Sequence, residues 1–503
     1  MQTKTPPIVL VAALTVVFGC LTARQAQAQT ETTLYNFDVG PGGFGPVSSL
    51  TPDGNGNFYG TTNSGGFSGN GVVYELSPAG AGGYNETVLY NFCPPSPPCT
   101  DGGPPNVGSL IFDGAGNLYG TAGGGAYGYG VVFELSPAGS TWTYSVLYNF
   151  NPANGADGAG PSSGLTMDGK GNLYGTTAGG PNGDGTVYEL SASGGGWTEQ
   201  VIYDEEGPGP DAGLAIDAVG NLYGVSGGLG GGQGVGSVFE LSPNGSGGWN
   251  NSVIYSFGGS DGEYPEGTPF LDGAGNVYGT TQYGGKGYGT VWKLSPGKKK
   301  WEEKVLHSFT GTKDGNQPFT GVVLDASGNI YGTTSYGGEY LDGNVFELAV
   351  SGTTYKEKVL WSFGDESKQE SSAGPWGLIL DGGELYGTTE FDGLYDGGVA
   401  FEVNPSAAAT TTTLTSSPNP STSGETVTFT ATVSSSAGAP PDGETVNFME
   451  GSTLLGTGTL SGGSANFMTS SLPVGTSKID AVYGGDLNFG PSTSKAVKQV
   501  VKK

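Results

Sequence analysis

One histidine, three cysteines and 46 acidic residues are the groups in this 503-residue sequence that could serve as bases, nucleophiles or metal ligands. His307 lies in Val305-Leu306-His307-Ser308-Phe309, where equivalent segments carry Tyr or Trp361, so it reads as a structural strand position. Without a second histidine, Ser-His-Asp and Cys-His catalysis and multi-histidine metal sites fall away. Carboxylate pairs could still cleave or eliminate on a sugar. The most regular carboxylate recurs, however, opening Asp-Gly-x-Gly-Asn-φ-Tyr-Gly-Thr-Thr at Asp53 and Asp168, with close copies at Asp113, Asp217, Asp272, Asp325 and Asp381. A residue used in every repeat serves the repeat: its carboxylate can accept N–H bonds in the glycine turn that follows. A single active site would break the symmetry instead. Asp53-Gly54-Asn55-Gly56-Asn57 also resembles the start of a calcium loop, but Ser64 stands where the bidentate Glu is needed, and a plain turn is expected, with no metal.

The elements carrying these groups follow from the period. The repeated tyrosines are Tyr59, Tyr119, Tyr174, Tyr223, Tyr278, Tyr331 and Tyr386, about 55 residues apart, which suits one four-stranded unit and is too long for a solenoid repeat. The third period shows the four strands: A at 163–168, B at 172–177, C at 186–190 and D at 200–203. Small residues on A suit a crowded axis. Trp142, Trp197, Trp249 and Trp301, with Tyr84 and Tyr355, open six D strands and read as packing between units. Glu75, Glu134, Glu189, Glu240, Glu347 and Glu402 on strand C, replaced once by Lys293, read as a solvated face.

The array starts at Thr33-Leu34-Tyr35-Asn36-Phe37, a D strand without A, B or C before it, and stops at 398–403, a C strand without D. Pairing the two ends completes the last unit and leaves no open edge. The expected fold is all-β: a seven-bladed β-propeller with its N-terminal strand closing the last blade, plus a C-terminal immunoglobulin-like β-sandwich. The expected boundaries are 1–28 signal peptide, 29–405 propeller, 406–413 Ser/Thr/Ala linker and 414–503 sandwich.

Differences between repeats concentrate in the B–C and D–A loops, on one rim. The B–C loops carry Phe67, Tyr127, Tyr129, Tyr283, Tyr288, Tyr336, Tyr340 and Tyr395 among glycines, with Asp184, Asp342 and Asp396. Aromatic rings beside carboxylates suit stacking on sugar rings with bonds to hydroxyls; the same residues would also serve as caps on the strand ends.

The Leu-Tyr-x-Phe, Gly-Asn-Leu-Tyr-Gly-Thr-Thr and Gly-x-Val-Tyr-Glu-Leu segments resemble the GloVer, or "choice-of-anchor", tandem-repeat family of exported bacterial proteins. The resemblance covers the repeat array and implies an extracytoplasmic location; it brings no established activity or catalytic residues. Members differ in their terminal anchors, and 497–503 shows no hydrophobic tail or sorting signal. Val482-Tyr483-Gly484-Gly485-Asp486-Leu487-Asn488-Phe489 resembles bacterial Ig-like repeat domains, which implies a spacer or adhesive module.

Lys4, the apolar 8–21 and Ala26-Gln27-Ala28 form a secretory leader. Cys20 raises lipid attachment as a rival, but Val17-Phe18-Gly19 is a poor lipobox because of the bulky Phe18. Beyond the leader remain 16 lysines, no arginine and 46 acidic residues, a charge that repels phosphate backbones and anionic lipid. Cys93 and Cys99 bracket a proline-rich loop and are expected to pair in an oxidising compartment. The leading functional reading is a secreted or cell-surface, non-enzymatic binding protein, a monomer without cofactor or transmembrane segment, whose rim recognises an extracellular glycan or protein. A propeller polysaccharide hydrolase or lyase using rim carboxylates, and a purely structural surface protein, stand as alternatives.

Overall fold

A computed structural model describes residues 31–503 except 81–82, 94–98, 106–107, 183–184, 205–208, 211, 228–234, 365–373, 392, 409, 436–437, 452 and 486–488. The leader at 1–28 therefore lies outside the described residues. The chain is all-β and propeller-like: seven antiparallel sheets run in order A-B-C-D along residues 31–403, followed by a three-stranded and a six-stranded sheet in the tail. In the third sheet Thr166–Met167, Leu173–Gly179, Thr186–Ser193 and Gly196–Asp204 stand side by side. The continuous A strand expected at 163–168 is instead two short pieces, Ala159–Pro161 and Thr166–Met167, both paired with strand B. The residues between them leave the ladder to line the centre of the array.

Glu31–Asn36 pairs antiparallel with Val399–Val403, Glu31 opposite Val403 and Asn36 opposite Val399. It is a true D strand, because the one-residue register shift between Thr33 and Tyr35 recurs in the six other C–D pairs. Buried apolar clusters link each sheet to the next, and one joins Leu34, Phe37, Leu50 and Phe58, tying the last sheet to the first. Thr388 Oγ1 of the seventh sheet donates to the Ser48 carbonyl of the first at 2.9 Å, as Thr121 does to Ser163 and Thr280 to Thr320 between consecutive sheets.

The repeated signature can now be read residue by residue. The Asp takes the turn's N–H groups: Asp272 Oδ1 accepts from Ala274 N and Asn276 N, each at 2.9 Å, and Oδ2 from Asn276 Nδ2 and the Tyr278 hydroxyl. Asp113, Asp168, Asp217 and Asp325 repeat the pattern. Asp53 likewise accepts from Asn55 N and Asn57 N, so the calcium-like stretch is a bonded turn. Partial burial alone would raise these carboxyls, yet the converging bonds hold Asp53, Asp113, Asp272 and Asp325 below the ordinary carboxylate value.

The Gly after the Tyr leaves a slot for strand C of the same sheet: a Cβ on Gly279 would stand 2.4 Å from Trp292 Cζ2. That strand-C ring then meets an aromatic from the preceding sheet's D segment, at centroid distances of 5.0 Å for Phe37–Tyr74, 5.1 Å for Phe150–Tyr188 and 5.7 Å for Phe257–Trp292. Trp142, Trp249 and Trp301 pack on Tyr59, Tyr174 and Tyr223 of the preceding sheet at 5.8 to 6.0 Å. At the centre small residues are obligatory, since a Cβ on Gly108 would stand 2.1 Å from Gly164 N.

The strand-C glutamates are not a solvated face. Glu347 and Glu402 are buried, and Tyr119, Tyr223 and Tyr386 donate to Glu134, Glu240 and Glu402. Strand B turns its tyrosine toward them, and Lys293, their one replacement, stands 5.1 Å from the Tyr278 ring centre.

In the tail, Thr410–Ser417, Val427–Ser435 and Ser464–Thr469 form one sheet, and Phe429, Phe448, Ile479 and Tyr483 meet in one core. Residues 410–413, expected as linker, belong to its first strand. Their Thr run is β-branched, Thr412 and Leu414 alternate inward, and Thr410 and Thr412 bond Ser492.

Phe37→Ala should destabilise the array by about 3–5 kcal/mol, as much as Phe150→Ala within it. Denaturant unfolding of both variants checks this; a small loss at Phe37 beside a large one at Phe150 would argue against closure through the N-terminal strand.

Candidate functional site: one rim and the central channel

The B–C and D–A connections leave the seven sheets on the same side, because A, B, C and D alternate in direction. Every strongly exposed aromatic ring among the described residues lies on that side: Phe67, Tyr127, Tyr129, Tyr264, Tyr283, Tyr288, Tyr336, Phe391 and Tyr395. Phe67 is 76% exposed and Tyr336 55%, fractions that leave most of the ring in water, where packing gains nothing from an aromatic. The non-glycine residues with positive φ, Cys93, Tyr264, Gln317, Leu341 and Asp396, sit on the same side. Such backbone costs about 1–3 kcal/mol each and is held by its surroundings.

Of the residues singled out in the sequence, Phe67, Tyr127, Tyr129, Tyr283, Tyr288, Tyr336, Tyr395 and Asp396 are exposed on the rim, while Tyr340 and Asp342 are half-buried and bonded. Asp184 lies outside the described residues. Tyr283 meets Tyr264 edge to face at 5.9 Å, a partner the sequence reading passed over because it lies on strand A, in Glu263–Leu271. The rest are spread around the rim, on separate loops. Cys93 and Cys99 are joined, with Cα atoms 4.7 Å apart, and the Cys93 N–H donates to Asp101.

Inside the ring of sheets, residues from all seven A segments line one cavity of about 460 Å³. Its wall mixes glycines and hydroxyls with aliphatic residues such as Leu165, Leu214 and Leu378, and its aromatic rings, Phe270, Phe319 and Trp376, come from three consecutive A segments, the first of which also supplies Glu266. Phe319 and Trp376 contact edge to face at 5.0 Å. Trp376 follows the paired Pro375 as Val47 follows Pro46, Ser162 follows Pro161 and Glu266 follows Pro265, so by strand register it is their counterpart, and that of Phe319. The variable residue after the repeated proline was the signal available in the sequence, and attention to the rim loops passed over it. Glu266 is the single acidic residue among the described residues lining the cavity. A shallower groove of about 640 Å³, containing Tyr129, shares Val47 and Ser162 with the channel and so adjoins it.

Between outer strands, the D-segment tyrosines donate to D–A loop aspartates: Tyr90 to Asp101 at 2.5 Å, Tyr148 to Asp157 at 3.0 Å, and Tyr255 to Asp261. His307 takes this place in the fifth sheet, 3.6 Å from Asp314, and burial, only partly offset by that carboxylate, lowers its pKa. It is thus a member of the structural set. The next sheet's D strand adds a glutamate: Glu86, Glu199, Glu303 or Glu357. Burial first, then repulsion from Asp157, pushes Glu199 up to about 8; burial with Asp38, Asp261 or Asp314 pushes Glu86, Glu303 and Glu357 up to about 7, even though Tyr35 donates to Glu86.

A carboxyl whose folded pKa is raised contributes stability below its ordinary value, and that stability is lost as pH rises through the folded value. The Tm should therefore fall between about pH 4.5 and pH 8, and Glu199→Gln, which cannot ionise, should recover about 1–3 °C at the upper end. Thermal unfolding across that range checks this; a variant that falls as steeply as the parent speaks against the buried carboxyl.

Among the described residues no helix is long and apolar enough to cross a membrane. No curated protein matches the sequence. Among solved structures, the extracellular domain of BT4673 from B. thetaiotaomicron is similar at 11% identity and TM-score 0.46, over 92% of this chain and 56% of that one, so this chain spans just over half its length. PorZ, a bacterial surface component of the type-IX secretion system of Porphyromonas gingivalis, is similar at 13% identity and TM-score 0.36, over 91% and 66%. The polysaccharide lyase Uly1 is similar at 11% identity and TM-score 0.42, over 73% and 91%. The Gloeobacter/Verrucomicrobia repeat matches residues 15–151, 81–288 and 228–470, most of the sequence, and the chain belongs to that family.

Proposed function

We propose that the seven sheets are the blades of one closed seven-bladed β-propeller. It is followed by an immunoglobulin-like sandwich that begins by Thr410, and the protein is exported by its N-terminal leader and acts outside the cytoplasm as a monomer. Its B–C and D–A rim recognises an extracellular glycan or protein, without catalysis and without a cofactor. The observation that carries this reading is the confinement of every strongly exposed aromatic ring to that rim. Such rings stack on sugars or anchor a protein interface, and their exposure costs solubility that an otherwise acidic, glycine-rich surface supplies. The frame gives a supporting reason: the repeat's own tyrosines, threonines and Asp carboxylates are engaged within and between sheets, which leaves recognition to the loops that differ.

A glycan array together with capture of extracellular proteins, using the full chain and a Tyr127→Ala/Tyr336→Ala/Tyr395→Ala variant, tests this. Binding by the parent that weakens at least about tenfold in the variant is expected. Binding unchanged by the triple substitution, or shortening of a polysaccharide on incubation, overturns it.

A further inference from the structure

The central channel carries more information about the ligand than the rim does. We infer that the channel and the groove adjoining it form a binding site for a short, uncharged oligosaccharide, with Trp376 and Phe319 as its stacking platform. The inference rests on reading the rim as the binding face.

Three observations lead there. The first is asymmetry. The position after the repeated proline carries Val47, Asn106, Ser162, Asp211, Glu266 and Phe319 in six repeats and Trp376, the largest of the set, in the seventh, which sets two rings side by side in consecutive repeats. An indole that contributed only to packing would be expected in the core, where the strand-C rings are fully buried; Trp376 is only partly buried and lines the cavity in edge-to-face contact with Phe319. The second is shape. A cavity of about 460 Å³ that shares Val47 and Ser162 with a groove of about 640 Å³ offers room for several linked rings in an extended path, more than one small metabolite fills.

The third is chemistry. Glu266 is the one carboxylate among the described residues that line either space, and no lysine lies among them to meet a uronate or a sulfate. Hydroxyls of Ser49, Ser109 and Ser162 and the backbone of the glycine-rich A segments supply donors and acceptors, while the indole face takes the apolar face of a pyranose. With 46 acidic residues on the chain, an anionic polymer would also approach against the field of the whole protein. A peptide ligand would need partners for its backbone along an open strand edge, and the A strands present hydroxyls and turns at the wall instead.

The test is titration calorimetry of the full chain with cellohexaose, laminarihexaose and mannohexaose, and with hexagalacturonate as the charged comparator, alongside Trp376→Ala, Trp376→Phe and the rim triple variant. At least one neutral hexaose should bind with a Kd below ~1 mM, at least about tenfold tighter than hexagalacturonate. Trp376→Ala should weaken it about tenfold or more, and Trp376→Phe should retain most of the affinity, which separates stacking from a folding defect. Equal or tighter binding of hexagalacturonate, affinity unchanged in Trp376→Ala, or no neutral hexaose bound overturns the inference. The rim reading is judged separately: ligand capture lost in the triple rim variant but intact in Trp376→Ala keeps the rim and removes the channel.

Discussion

Seven times around this molecule, an aromatic ring at the end of one sheet packs against the strand-C ring of the next, with centroids 5.0 to 5.7 Å apart. Each contact adds about 0.5–1.5 kcal/mol beyond the area it buries. The geometry also dictates the surrounding residues. The strand-C ring fits because its strand-B neighbour is glycine, the tyrosine before that glycine is turned toward the A–B turn, and its hydroxyl meets the Asp that organises the turn. Threonine after the glycine reaches the next sheet's A segment. Changing one ring therefore disturbs a turn and a neighbouring sheet together.

The first and last sheets meet through the same contact. Phe37 and Tyr74 make at the seam the pair that Phe150 and Tyr188 make within the array, and Thr388 reaches Ser48 as Thr121 reaches Ser163. A free C strand at Val399–Val403 would present a row of unpaired backbone groups, and Glu31–Asn36 covers it with the register of every other D strand.

A frame so symmetric has consequences for function and for charge. Its polar side chains are committed to one another, so the proposed recognition rests on what differs: loop aromatics on one rim, and the side of the channel holding Trp376 and Phe319. The acidity is partly internal too. Glutamates such as Glu199 stand buried near loop aspartates and are raised into the neutral range, which lowers the real charge at neutral pH below the formal one.

The sequence by itself determined the period, the four strand types, the orphan strand at each end and the turn role of the repeated Asp, because those are local patterns copied seven times. It also marked the rim tyrosines, since they interrupt glycine-rich loops. What it misjudged or passed over depended on neighbours far along the chain. The strand-C glutamates look like a solvated face until strand B turns its tyrosines toward them. The Thr410–Thr413 run looks like a linker until Ser492 stands opposite. Trp376 looks like one more aromatic until seven A segments converge on a single axis. Only tertiary structure brings those segments together, because the cavity is lined by all seven A segments and not by any one repeat.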